Sequence, residues 1–174
     1  ERLFNEIKNG LKKCKELGKI PVSMGIDTWG VDYGFIDKDG NLIGNPINYR
    51  DNRTDHTIEE VSKIVPLKEI YDVTGIQFLN FNTIFQLYAD RQTRPDIYDN
   101  AVKLLFMPDL FGYFLTGKMY SEYTNMSTGQ LLDAKKRTWA KDILEKVGIR
   151  MDLFADLIQP GTVVGDLCEE VVKE

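Results

Sequence analysis

Apolar positions along the 174-residue chain repeat with two periods, and the switches between them mark out the elements. Leu3, Phe4, Ile7, Leu11, Cys14 and Leu17 recur at spacings of three and four, which predicts an amphipathic helix ended by Gly18. The run 20–26 is short, apolar and bounded by glycine, the pattern of a buried strand. Residues 31–37 predict another strand, because Tyr33, Phe35 and Ile36 favour a pleated backbone. Asp37-Lys38-Asp39-Gly40-Asn41 then predicts a tight turn, since Asp-Gly tolerates positive φ. Leu42 and Ile43 resume the strand, and Ile47-Asn48-Tyr49 follows Pro46.

Helical spacing takes over from Thr54. Ile58, Val61, Ile64 and Val65 mark one helix, and Pro66 suits the first turn of the next, which carries Leu67, Ile70 and Tyr71. Asn82 predicts a capped start for a third, with Ile84, Phe85, Leu87 and Tyr88 behind it. Residues 102–106 read as a further buried strand, and Pro108 opens a helix that Gly117 closes. The stretch 120–132 is mixed, with a polar centre at 124–128. A helix around 139–147 is capped by Gly148, and the tail 161–174 holds one short apolar segment and a charged end. Strands interleaved with helices predict an α/β fold.

Composition narrows the function classes. A hydrophobic fraction of 43% supplies a sizeable core, and 28% charged residues is ordinary for a soluble chain. A net charge of −5 argues against nucleic-acid partners, which need concentrated positive charge; Lys12, Lys13 and Lys15 read as a solvated helix face. Cys14 and Cys168 lie far apart without metal-ligand spacing, consistent with reduced thiols in the cytoplasm. The single histidine, His56, reads as a surface residue near a helix start and cannot build a His-rich metal site. The most apolar run, 104–115, is broken by Pro108 and Asp109 and is too short for a bilayer, so no membrane partner is expected. No Gly-x-x-x-x-Gly-Lys or Gly-x-Gly-x-x-Gly loop occurs.

The densest candidate chemistry lies at Gly25-Ile26-Asp27-Thr28-Trp29-Gly30-Val31-Asp32-Tyr33-Gly34. A strand ending in such residues delivers polar groups and an aromatic face to a sheet end, where ligands bind in open α/β sheets. Asp27 and Asp32 read either as an acid/base pair brought together by a turn at Gly30, or as a turn cap and a solvent-facing carboxylate. Trp29 and Tyr49 suit stacking on the C–H face of a sugar, with Arg50, Asp51 and Arg53 adding donors and acceptors. The same residues read equally as two core aromatics beside a surface ion-pair cluster. Phe81-Asn82-Thr83 offers an aromatic, an amide and a hydroxyl, or ordinary helix capping.

Gly25-Ile26-Asp27-Thr28-Trp29-Gly30-Val31-Asp32 and Tyr49-Arg50-Asp51-Asn52-Arg53-Thr54 closely resemble segments of the FGGY carbohydrate kinases. Further matches follow in order at Thr74-Gly75-Ile76-Gln77-Phe78-Leu79, Phe81-Asn82-Thr83, Leu105-Phe106-Met107-Pro108-Asp109, Leu115-Thr116-Gly117-Lys118 and Glu122-Tyr123-Thr124-Asn125. The Asp-Thr-Trp-Gly-Val-Asp element resembles the branch acting on L-rhamnulose rather than the glycerol, xylulose or gluconate kinases.

The resemblance implies a partial actin/ribonuclease H-like domain with additional helices, 1–174 being part of an N-terminal, sugar-binding domain. It implies a parent enzyme that uses ATP and Mg to phosphorylate L-rhamnulose at its 1-position, with another ketose such as L-fuculose as the alternative substrate. A non-catalytic sugar-binding or assembly module is the alternative class. The implied sugar-binding residues are Thr28, Trp29, Gly30, Tyr49, Arg50, Asp51, Phe81 and Asn82. Glycerol kinases carry an arginine where Gly30 stands, and glycine there leaves room for a bulkier ketose. The family's phosphate loop, its catalytic base and its adenosine-binding domain find no match in this chain. The chain alone is therefore expected to be inactive, to bind neither ATP nor metal strongly, to contain no catalytic residue, and to self-associate through an exposed sheet edge.

Overall fold

Two faces of one small sheet organise the protein, whose computed structural model describes residues 2–173; Glu1 and the charged chain end at Glu174 lie outside the described residues. The first helix, α1 (Arg2–Glu16), leads through an irregular segment to β1 (Tyr33–Ile36), β2 (Leu42–Ile43) and a 3-10 turn at Asn52–Thr54. Four helices follow: α2 (Thr57–Ser62), α3 (Leu67–Thr74), α4 (Thr83–Thr93) and α5 (Pro95–Asn100). Then come β3 (Lys103–Phe106), α6 (Met107–Thr116), β4 (Ser121–Glu122), α7 (Tyr123–Ser127), β5 (Leu132–Asp133) and β6 (Thr138–Trp139). α8 (Lys141–Val147), a 3-10 turn at Met151–Leu153, β7 (Leu157–Ile158) and α9 (Glu169–Lys173) complete the order.

The main sheet runs β2-β1-β3 with antiparallel pairing, and Tyr33 stands opposite Phe106 and Phe35 opposite Leu104. Strand side chains alternate between faces, so Tyr33, Phe35, Leu104 and Phe106 pack with Ile84, Phe85 and Leu87 of α4 into the larger core. Ile36 and Leu105 point the other way, into a smaller core with Met107, Leu110 and Phe111 of α6. Gly34 lies in β1 where an added Cβ would meet Leu42 Cδ1 at 2.6 Å and Leu110 Cδ2 at 2.9 Å. Its missing side chain is what lets α6 lie so close to the sheet. Two small ladders flank this unit, β4 with β7 in parallel and β5 with β6 antiparallel.

Most predicted elements are present. The Asp37–Asn41 turn closes with Gly40 at φ 84°, and Gly117 and Gly148 end α6 and α8 in the left-handed conformation. His56 is exposed at the start of α2.

Two expectations are overturned here, and one helix has no counterpart in the sequence reading. Residues 20–26 form no strand: they are irregular with a bend at Val22, join no ladder among the described residues, and leave Ile20 73% and Val22 102% exposed. Apolar content made the run look like a strand, but a strand needs a ladder partner, and none of the described strands lies beside it. Trp139, expected at a helix start, sits in β6 with its ring stacked on Phe154 at 4.3 Å. α5 was not anticipated, because its polar sequence Pro-Asp-Ile-Tyr-Asp-Asn carries little periodicity.

Gly129 follows α7 and packs against α4: a Cβ there would meet Thr83 Oγ1 at 2.7 Å and Phe106 Cζ at 3.2 Å, both fully buried side chains. Gly129→Ala is expected to lower unfolding free energy by about 1–3 kcal/mol, the usual cost of overpacking. A urea titration checks this, and an unchanged midpoint counts against the packing described.

Candidate functional site

The Gly30-Val31-Asp32 turn is strained. Val31 has φ 65°, and the Asp32 N–H donates to the Gly30 carbonyl at 2.9 Å. A positive-φ turn closed over three residues is rare, and a β-branched residue at its centre makes it rarer. Two buried donors from α4 hold it: Thr83 Oγ1 and Gln86 Nε2 both donate to the Val31 carbonyl, at 2.8 and 3.0 Å.

Gln86 is itself held. Its Oε1 accepts from Arg53 Nη2 at 2.6 Å and its Nε2 also donates to the Phe81 carbonyl at 2.7 Å. Arg53 Nε donates to Asp90 Oδ1 at 3.0 Å. The fully buried Asp90 carboxylate accepts as well from Tyr33 Oη at 2.6 Å and from Arg94 Nη2 at 2.7 Å. Burial, with Asp90 beside it, pushes the Tyr33 hydroxyl well above the usual phenol range, so it stays a donor.

Asp32 does not face solvent. It is 2% exposed, and Oδ2 accepts from Trp29 Nε1 at 2.8 Å while Oδ1 is buried without a partner. Burial raises its pKa, opposed by the Trp29 hydrogen bond and the Arg53 charge. Asp27 is exposed on the cleft wall, so the two carboxylates occupy different environments and share no hydrogen bond. Asp32 fixes the Trp29 indole, a role neither sequence reading contained.

Beyond this turn lies an open cleft of about 890 Å³, lined by the segment 21–30, one side of α6 along its length, the polar face of α7 and residues 158–167. Thr28, Trp29 and Gly30 all reach it. An added Cβ on Gly30 would meet Thr128 Oγ1 at 2.8 Å and Asn125 Oδ1 at 3.2 Å. The room that glycine was expected to leave is therefore partly filled by α7. That helix is anchored by the Glu122 carboxylate, which accepts from the Thr124 and Asn125 N–H groups at 2.9 and 2.8 Å.

The remaining expected residues gather elsewhere or serve the fold. Tyr49 and Phe81 meet edge to face at 5.2 Å, with the Arg50 guanidinium 5.0 Å over the Tyr49 ring. Asp51 accepts from the Arg53 N–H at 2.9 Å, capping the 3-10 turn. Asn82 stands at the N-cap position of α4, but its side chain does not cap. It is buried and donates to the Gln77 carbonyl and to Gln130 Oε1, both at 2.8 Å. Sequence reasoning offered Thr83 only within the Phe81-Asn82-Thr83 trio and missed Gln86 and Asp90. The signal was present: polar residues at spacings of three and four within an apolar helix share one face.

Asp109, on the cleft wall, is 1% exposed and accepts from the Glu122 N–H at 3.2 Å. Burial, with Glu122 nearby, pushes its pKa up to about 7, against 3.8 for the ordinary group. A carboxyl raised on folding favours the folded state fully below the unfolded value and loses that contribution as pH climbs through the folded value. Wild-type stability should therefore fall relative to Asp109→Asn between about pH 4 and pH 7. Urea midpoints of both proteins at several pH values check this; parallel curves sink it.

Among the described residues no group of three or more His, Cys, Asp or Glu side chains could hold a metal ion. No described helix is long and apolar enough to cross a membrane.

A family model described as the N-terminal domain of the FGGY family of carbohydrate kinases matches residues 3–174. The chain is 47% identical over its whole length to a rhamnulokinase of Halalkalibacterium halodurans, covering 37% of that protein. It is 46% identical over 97% of its length to a rhamnulokinase of Ligilactobacillus salivarius, covering 34% of it. It thus spans about a third of the length of these relatives. In fold it is similar to xylulose kinase from Lactobacillus acidophilus, with TM-score 0.84 and 19% identity over 98% of this chain and 35% of the other. Plasmodium falciparum glycerol kinase gives TM-score 0.81 and 21% identity over 98% of this chain and 36% of the other. The α/β, partial actin/ribonuclease H-like expectation accordingly holds. Sequence and fold agree, and the chain belongs to the FGGY family of carbohydrate kinases.

Proposed function

We propose that this chain is the sugar-binding part of an ATP-dependent kinase that phosphorylates L-rhamnulose to L-rhamnulose 1-phosphate. The observation that carries the reading is the cleft at the Gly30 turn. There a bare backbone, an indole and the polar face of α7 converge. A ketose needs such a mixture: an aromatic or apolar wall for its C–H faces and paired polar groups for its hydroxyls. The choice of L-rhamnulose rests on likeness to proteins named rhamnulokinase.

In this reading Thr28, Trp29 and Gly30 form one wall. Asp32 orients Trp29 from behind, while Tyr49, Arg50 and Phe81 form a separate aromatic cluster outside the cleft lining, which we keep with Asp51 and Asn82 as a second candidate contact surface. The residues of this chain do not fit a nucleotide with its metal: there is no phosphate-cradling glycine loop and, among the described residues, no metal-holding cluster. Phosphoryl transfer needs metal, phosphate clamp and base together. We assign those to further parts of the parent enzyme, and residues 1–174 to a partial N-terminal sugar-binding domain.

A coupled ADP-release assay tests the reading. The parent enzyme should turn over L-rhamnulose in preference to L-fuculose, while the 174-residue chain alone should show no turnover with either. Preference for L-fuculose would reassign the substrate, and turnover by the chain alone would overturn the division of labour. We keep the expectation that the isolated chain self-associates through an exposed sheet edge, since an edge strand such as β2, paired on one side only, recruits another backbone. Sedimentation velocity of the isolated chain should give a mass above that of one chain; a monomer throughout the micromolar range would count against it.

A further inference from the structure

The polar face of α7 does more than fill space beside Gly30. Thr128 Oγ1 is committed, donating to the Asn125 carbonyl at 2.7 Å. The Asn125 backbone N–H is committed to Glu122. The Asn125 carboxamide has no hydrogen-bond partner among the described residues, although the side chain is half-buried and lines the cleft. A carboxamide carries two donor hydrogens and an acceptor oxygen. Held without a protein partner on a cleft wall, it is a group prepared for a ligand that itself both donates and accepts. A sugar hydroxyl is such a ligand.

The mounting of this amide is unusually firm. Glu122 fixes the first turn of α7 from below. After the helix, Gly129 packs on Thr83 and its carbonyl accepts from the Ile84 N–H at 3.0 Å. Gln130, fully buried at φ 58°, donates to the Ile76 carbonyl at 2.9 Å and accepts from Asn82. The same helix α4 therefore pins both walls: Thr83 and Gln86 hold the Gly30 turn, while Thr83 and Ile84 hold the end of α7. The Asn125 amide and the Gly30 backbone are thereby kept in register across one narrow gap.

We propose that Asn125 is a specificity-determining residue whose carboxamide hydrogen-bonds a hydroxyl of the ketose as it lies against the Gly30 backbone. This deepens the sugar-kinase reading and rests on it. L-rhamnulose and L-fuculose differ only in the configuration of one hydroxyl-bearing carbon. A fixed donor–acceptor group is the kind of feature that separates such epimers, because the wrong epimer leaves it unpaired.

The test uses the full-length parent enzyme and steady-state kinetics with L-rhamnulose, L-fuculose and ATP. Asn125→Ala is expected to raise the KM for L-rhamnulose about tenfold, the scale of one lost hydrogen bond. The KM for ATP should stay within about twofold, since loss of ground-state and transition-state binding alike leaves the other substrate untouched. The kcat/KM preference between the two ketoses should shrink. A purely structural role would instead disturb both substrates. If Asn125→Ala does not fold, the near-isosteric Asn125→Asp, which loses the donors, should show the same ketose-only effect. A folded variant with ketose KM and ketose preference unchanged overturns the assignment while leaving the kinase reading intact. Wild-type enzyme that phosphorylates neither ketose overturns the reading itself.

Discussion

The peptide at Val31 is the constraint on which the rest of the site depends. A positive φ at a β-branched residue costs on the order of 1–3 kcal/mol and persists only where its surroundings over-determine it. Here the surroundings are two side-chain donors on one carbonyl, each of a kind that contributes about 1 kcal/mol. The second donor is only as well aimed as its own restraints. Gln86 is oriented by Arg53, Arg53 by Asp90, and Asp90 is shared with Tyr33 and Arg94. A buried carboxylate with opposite charges and a phenol around it is costly to disrupt from any side. The ion pair in the core is thus better understood as an aligning device for a surface turn than as a source of stability.

The two sides of the cleft differ in kind. On one side the turn, α4 and α7 are tied by buried hydrogen bonds and two residues of positive φ, Val31 and Gln130. On the other, the segment 20–26 carries exposed apolar side chains and no ladder. The cleft is therefore preorganised where it meets the candidate sugar contacts and open where the chain is irregular. That arrangement favours binding of a small polar ligand at the rigid wall, because little ordering has to accompany it.

Much of the fold could be read from periodicity. α1, α3, α4, α6 and α8 follow their apolar positions, β1 follows its aromatic and β-branched content, and β3 follows its short apolar run. What could not be read is what depends on distant partners. Residues 20–26 have strand composition, yet pairing is a property of two segments and not of one. Solvent was one reading for Asp32 because carboxylates are mostly exposed; it is instead buried, beside the Arg53 charge and with the Trp29 indole donating to it. Asn82 has the residue type and position of a cap, but Gln130, far along the chain, claims its amide. Of the candidate site, Gly30 and Trp29 were named from sequence and do line the cleft, whereas its support, which lies in α4 and α7, could not be read.

Gly30 carries a consequence for how such a pocket can change over time. Its α-carbon is covered by side chains drawn from a helix distant in the sequence, so positions 30, 125 and 128 share one volume. Substitution at any of them alters what the other two can accept. A larger residue at 30 would require smaller ones on α7 in the same lineage, and neither step alone would leave a well-packed wall. The packing of this wall is thus an epistatic trait, heritable only as a set.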